Sequence, residues 1–282
     1  LFLSIELLRP CAVVGYCYKQ ENVMHQKDLS HHRRLSLGRL LVAAAVVVAS
    51  LASAATPQRQ DSYDALMERL GGEQIFRMHL RTMSPEGLKA LLRLHGSDLV
   101  IHNGIEPMEA NDCPARFPEA ERNKWHLLNG GHYYIDGQGR PQTAYRNLPP
   151  IQAASRDTSC QSFVNDLAPG TWDAGHLVAA SLGGWGRRAN LVPQNPNFNQ
   201  QNWNYMEQQV AKCSALGSGS VLYKVQVAYP SADTDLPSTF TADITIGSDN
   251  IKRTFQNTSG GGSNGTAYRD QIKGWLIDHG CQ

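Results

Sequence analysis

In residues 220–229 and 239–246 apolar side chains recur at every second position, and this alternation limits the possible folds more than any other feature of the chain. Val221, Tyr223, Val225, Val227 and Tyr229 share one side of residues 220–229, residues 239–246 continue the pattern, and residues 251–255 make a third strand. A period of two marks extended chain with one buried face. The last two segments are separated only by the turn at residues 247–250, and a connection that short joins antiparallel strands, because a parallel crossover needs a dozen or more residues. The expected fold class is therefore α+β, with a mixed or antiparallel sheet core and flanking helices.

Upstream, Tyr63, Leu66 and Leu70 stand at helical spacing in residues 61–70. A second helix is expected over residues 84–95, where Ser84 suits the N-cap, Pro85 the first turn and Gly96 the stop. Leu99-Val100-Ile101 is a short buried run, followed by a polar loop at Cys113 and an expected helix over residues 118–128. Residues 132–135 and 142–146 flank Asp136-Gly137-Gln138-Gly139-Arg140 and predict a hairpin, which Pro141 and Pro149-Pro150 limit in length. Residues 259–265 have the composition of a flexible linker and lead to a helix over residues 267–278 that carries Tyr268, Ile272, Trp275 and Leu276.

Arg33, Arg34 and Arg39 precede an apolar run at residues 40–49 that ends in Leu51-Ala52-Ser53-Ala54-Ala55, the pattern of a signal peptide cut after Ala54. The run is short for a membrane span, so the mature form is expected free of the membrane, secreted or periplasmic. The sequence opens on Leu1, and Met24 is a reasonable start that would leave residues 1–23 as upstream sequence. Beyond residue 54 there are 20 Lys and Arg against 22 Asp and Glu, so the exported part is near neutral. It lacks the overall basic excess of many nucleic-acid binders, although a local patch fits within these totals. Cys113, Cys160, Cys213 and Cys281 remain, enough for two disulfides with three connectivities open. Of these pairs, Cys213–Cys281 is the one expected to tether the C-terminal tail.

Residues 172–207 hold the chemistry. His176 follows Asp173-Ala174-Gly175 and precedes an aliphatic run that ends at Gly183-Gly184. Residues 189–194 suit a returning strand. After Pro196 an Asn/Gln-rich helix places Trp203, Met206 and Val210 at three- and four-residue spacing, with Asn199 and Glu207 near one side. A neutral imidazole can take a proton from water near neutral pH, and an amide oxygen suits a hard divalent cation that keeps several waters.

Asp-x-Gly-His at 173–176, Asn190-Leu-Val-Pro-Gln194 and Asn199-x-x-x-Trp203-x-x-x-Glu207 occur in the order and spacing that resemble the DNA/RNA non-specific endonucleases of the ββα-metal fold. The resemblance extends over roughly residues 98–258. It implies a ββα-metal finger within the sheet fold and an Mg2+-dependent hydrolase of phosphodiesters in DNA and RNA, with Mn2+ as a substitute. His176 would be the general base, Asn199 the direct metal ligand and Glu207 a carboxylate outside the direct ligand set. Asp173 would fix the local geometry, and Gln194 would lie on the substrate side. The chain is expected to divide into a leader (1–54), a helical segment (55–97), the nuclease domain (98–258) and the linker with its helix (259–282). Ala174 stands where the family's better-known motif has an arginine, so the phosphate-stabilising charge must come from elsewhere, with Arg187 and Arg188 as candidates. The same departure motivates the alternative of a weak or inactive nucleic-acid-binding module of this fold. An antibacterial use would add an immunity or inhibitor protein to the partners; oligomeric state is left open.

Overall fold

The computed structural model describes residues 63–102, 113–148, 154–216 and 221–282; the expected leader and Pro149-Pro150 lie outside them. The chain begins with three helices, α1 (Tyr63–Arg69), α2 (Glu73–Thr82) and α3 (Pro85–Leu94). Ser84 caps α3, its hydroxyl accepting from the Gly87 N–H at 3.1 Å. Strands β1 (Leu99–Ile101), β2 (Lys124–Leu128), β3 (Gly131–Ile135) and β4 (Pro141–Asn147) follow, then α4 (Thr158–Asn165). The finger comes next: β5 (Asp173–His176), β6 (Leu191–Gln194), a short α5 (Pro196–Phe198), a π-helical turn (Asn199–Trp203) and α6 (Asn204–Lys212). The meander β7 (Val221–Ala228), β8 (Thr239–Ile246) and β9 (Asp249–Gln256) precedes the final helix α7 (Gly265–Asp278).

Seven strands make one sheet in the order β1-β2-β3-β4-β7-β8-β9, and β5 and β6 pair separately. Only the β1–β2 pairing in the large sheet is parallel; every other neighbour is antiparallel. The period-two alternation sends successive residues to two different cores. Tyr133, Ala144 and Tyr223 face the core beneath α6, α7 and the finger, whereas Tyr134, Tyr145 and Leu222 face the core covered by α1–α3. The N-terminal helices are thus the cover of one face of the sheet. They are also held by polar contacts. Arg77 of α2 reaches Asp243 and Thr245 on β8, and Lys224 of β7 pairs with Glu73, which also accepts from the Tyr145 hydroxyl at 2.8 Å.

Residues 118–128 are not the expected helix. Glu119–Glu121 is a single 3-10 turn, and from Lys124 the chain runs as β2 between β1 and β3. The reason lies in the next two residues. Asn129 and Gly130 adopt φ of 49° and 72°, the left-handed pair that a tight hairpin turn requires, so β2 is the first arm of a hairpin with β3. Trp125 enters one core and His126 is buried on the other side, as a strand demands.

Residues 259–265 also differ from the expected flexible linker. The Asn197 amide oxygen accepts from the Gly260 N–H at 2.8 Å, and Gly261 packs where an added Cβ would come within 2.8 Å of the Phe198 ring. This turn lays α7 against β9 and α6. The disulfide Cys213–Cys281 closes the tail onto the end of α6, and Cys113–Cys160 ties the loop before β2 to α4.

Candidate active site

The strand pair β5–β6 places the first part of the site. Asp173 lies opposite Gln194 and His176 opposite Leu191. Gly175 must lack a side chain here, because a Cβ would stand 2.0 Å from Gln194 Oε1. Strand geometry ends at His176, earlier than the Gly183-Gly184 turn, because Asn190 takes over the following backbone. Its Oδ1 accepts from the Val178 N–H and its Nδ2 donates to the Val178 and Trp185 carbonyls, each at 2.8 Å. Asn195 caps the next turn by accepting from the Phe198 N–H, and Trp203 is buried among Phe198, Phe240 and Phe255. That aromatic anchor fixes the helix whose residues meet β5.

Asp173, His176, Asn199 and Glu207 line one cleft of about 370 Å³. Asp173 Oδ2 accepts from Asn199 Nδ2 at 2.9 Å and from Gln200 Nε2 at 2.8 Å. With its NH2 end on a carboxylate, the Asn199 amide has its carbonyl oxygen left to offer. His176 Nε2 is buried without a hydrogen-bond partner in the protein. Burial, and then the positive charge of Arg156, hold its imidazole down at about 4, so the ring is neutral at ordinary pH. Glu207 is buried and accepts from the Ala179 N–H at 3.0 Å. Burial pushes its carboxyl well above the usual range, against the opposing effect of the Ala179 N–H and of Arg156.

The remaining predicted residues lie elsewhere. Gln194 is fully buried beneath Gly175 and is not part of the cleft wall. Arg188 is fully buried, and its guanidinium donates to the carbonyls of Pro114, Ala115 and Leu191. Arg187 pairs with Asp157 at 3.1 Å, outside the cleft wall. The cation that does line the cleft is Arg156, exposed at its mouth and acting on both His176 and Glu207. Sequence reasoning missed it, because Arg156 lies 20 residues before His176 in a stretch without periodicity. The one local signal was Asp157, which caps α4 by accepting from the Ser159 and Cys160 N–H groups.

The strand pair β5–β6 is followed by the helical run from Pro196, with His176 on the strand and Asn199 at the head of the π-helical turn, the strand–strand–helix order expected of a ββα-metal finger. Residues 122–248 match the family model described as DNA/RNA non-specific endonuclease. Among solved structures the chain is similar to NucA from Streptococcus agalactiae with no metal bound, at 23% identity over 46% of this chain and 71% of that one, with a TM-score of 0.36. The same protein with magnesium ion bound gives 21% identity over 46% and 73%, also at 0.36. No curated protein sequence matches significantly.

Proposed function

We propose that the chain is an exported, metal-dependent endonuclease that hydrolyses phosphodiester bonds in DNA and RNA with His176 as general base. The observation that carries this reading is the unpartnered, buried Nε2 of a neutral His176 in the same cleft as an Asn199 amide whose NH2 is held by Asp173. His176 Nε2 takes a proton from water as the oxygen attacks phosphorus, and the P–O bond to the leaving oxygen breaks. Asn199 would hold a magnesium ion, or manganese in its place, which supplies charge neutralisation at the phosphate and the leaving oxygen. The donor set fits such a hard cation, because the cleft presents amide and carboxylate oxygens and leaves room for water.

Arg156 supplies the positive charge missing at Ala174. Its segment is braced immediately after it, by the Arg187–Asp157 ion pair and by the disulfide at Cys160. Export is supported by the two disulfides, which persist in oxidising compartments, and among the described residues no helix is long and apolar enough to cross a membrane. The test is digestion of duplex DNA and of RNA by the purified chain, with magnesium and with chelator. His176→Ala and Asn199→Ala are each expected to lower the rate by about 10²–10⁴-fold with folding intact. Wild-type rates in either variant would sink the reading. Binding without cleavage across several divalent metals would point to the inactive module instead.

A further inference from the structure

The Asn/Gln-rich run that marked this region in the sequence is only partly used by the cleft. Asn195 caps a turn, Asn199 belongs to the site, and Asn202 is a buried strut donating to Gly260 O at 2.7 Å. Gln200, Gln201, Asn204 and Gln208 are exposed, and Gln200 also donates to Asp173 Oδ2 at 2.8 Å. Gln200 and Asn204 lie in the wall of the active-site cleft and also in that of a neighbouring depression of about 310 Å³, so the two adjoin. Gln200, Asn204 and Gln208 stand four residues apart, and Gln208 Nε2 donates to Asn204 Oδ1. They form a row of amides leading away from the cleft.

Beside this row the charge changes. Tyr205 is 37% exposed, with the Arg269 guanidinium 5.0 Å and the Lys273 ammonium 5.7 Å from its ring centre. Lys273 Nζ also donates to the Tyr205 hydroxyl at 3.3 Å. Arg269 is fixed by donating to Asn202 Oδ1 at 2.9 Å and pairs with its neighbour Asp270. One exposed tyrosine therefore holds two cations from α7 together at the surface. Both cations lie beyond residue 248, outside the matched nuclease stretch.

We infer that this surface, from Gln200 through Asn204 to Tyr205, Arg269 and Lys273, is a track for the polynucleotide strand flanking the scissile phosphate. The inference rests on the nuclease reading above and adds where the rest of the substrate lies. Neutral amides suit it next to the cleft, since their N–H groups donate to phosphate and sugar oxygens of any sequence. The cations suit the flank of the row, where phosphate contacts give affinity without reading bases. The charge is local, consistent with a chain whose total is near neutral.

Two measurements on the full chain test the track. Binding of a labelled single-stranded oligonucleotide of about 20 nucleotides, longer than the roughly 4–16 that a single-strand groove commonly holds, is followed by anisotropy in chelator. The R269Q/K273Q double variant is expected to bind about tenfold more weakly, with the slope of log affinity against log salt reduced by about 1.4 for two lost phosphate contacts. In magnesium, the ratio of kcat/KM for the 20-mer to that for a dinucleotide is expected to fall by about tenfold, as a change in KM. Because Arg269 also braces Asn202, Lys273→Glu alone is the second variant, and it must move both readouts in the same direction. Unchanged affinity, salt slope and substrate ratio in both variants overturn the track while leaving the nuclease reading in place. A wild-type chain that cleaves neither substrate removes that reading, and the track with it.

Discussion

Arg156, Arg187 and Arg188 lie within 33 residues of one another, and their environments give them three different tasks. Arg188 is a structural cation: burial depresses its pKa, and three backbone carbonyls take its donors. Arg188→Ala leaves those carbonyls unsatisfied and is expected to cost about 3–5 kcal/mol in urea unfolding. Arg187 steadies the segment that presents Arg156 through Asp157. Arg156 itself faces the cleft, so Arg156→Ala is expected to lower kcat by about 10²–10³-fold at unchanged stability, with partial recovery in Arg156→Lys. Steady-state kinetics beside a melting curve separate the two kinds of arginine. Were Arg188→Ala stable but inactive, and Arg156→Ala fully active, the assignment would be reversed.

The finger depends on one close contact between its strands. Gly175 crosses Gln194 where a Cβ would lie 2.5 Å from Gln194 Cβ and 2.0 Å from its Oε1. Gly175→Ala must therefore push β5 off β6, at an expected cost of about 1–3 kcal/mol. Gln194→Gly should recover part of that loss, and a double-mutant cycle measures the coupling. Displacement of β5 also moves His176 and Asp173, so activity should fall further than stability. On the other side of the sheet, α2 is held by charge. Glu73 lies between Lys224 and Arg77, and burial, which alone would raise its pKa, is outweighed by Lys224, leaving it at about 2.

Acid should loosen the molecule in two stages. Burial, with His102 and Lys124 nearby, holds His126 at about 4. The unfolded chain, with an ordinary imidazole near 6.5, binds that proton first, so stability rises with pH between about 4 and 6.5 and is lost as pH falls through that window. For this nearly inaccessible ring the loss is roughly 3 kcal/mol. Glu73 works in the next window: its contribution is present above its unfolded value of 4.5 and fades as pH falls towards about 2. Urea midpoints from pH 7 to pH 3 should show both steps; burial holds His132 and His176 at about 4 as well, so His126→Leu should shrink the first step without abolishing it, and a flat profile for the native chain would refute the assignment. The cross-link Cys213–Cys281 spans 68 residues, and its removal by Cys→Ser at both positions is expected to cost about 4 kcal/mol.

Local pattern was enough for whatever depends on neighbours in the chain. The period of two in residues 220–229 and 239–246 determined the meander, Ser84-Pro85 the start of α3, and the spacing of His176, Asn199, Trp203 and Glu207 the strand and helix of the finger. The helix expected over residues 118–128 overlooked the Asn129-Gly130 turn; the apolar residues before it suit either a helix or a strand, and pairing with β1 and β3 decided the outcome. Tertiary structure alone determined which cation meets the cleft. Charge acts through space, and Arg188 and Arg156 differ in nothing that sequence spacing records, only in what packs around them. The same holds for Arg269 and Lys273, whose place beside Tyr205 exists because the turn at residues 259–265 folds α7 back onto α6.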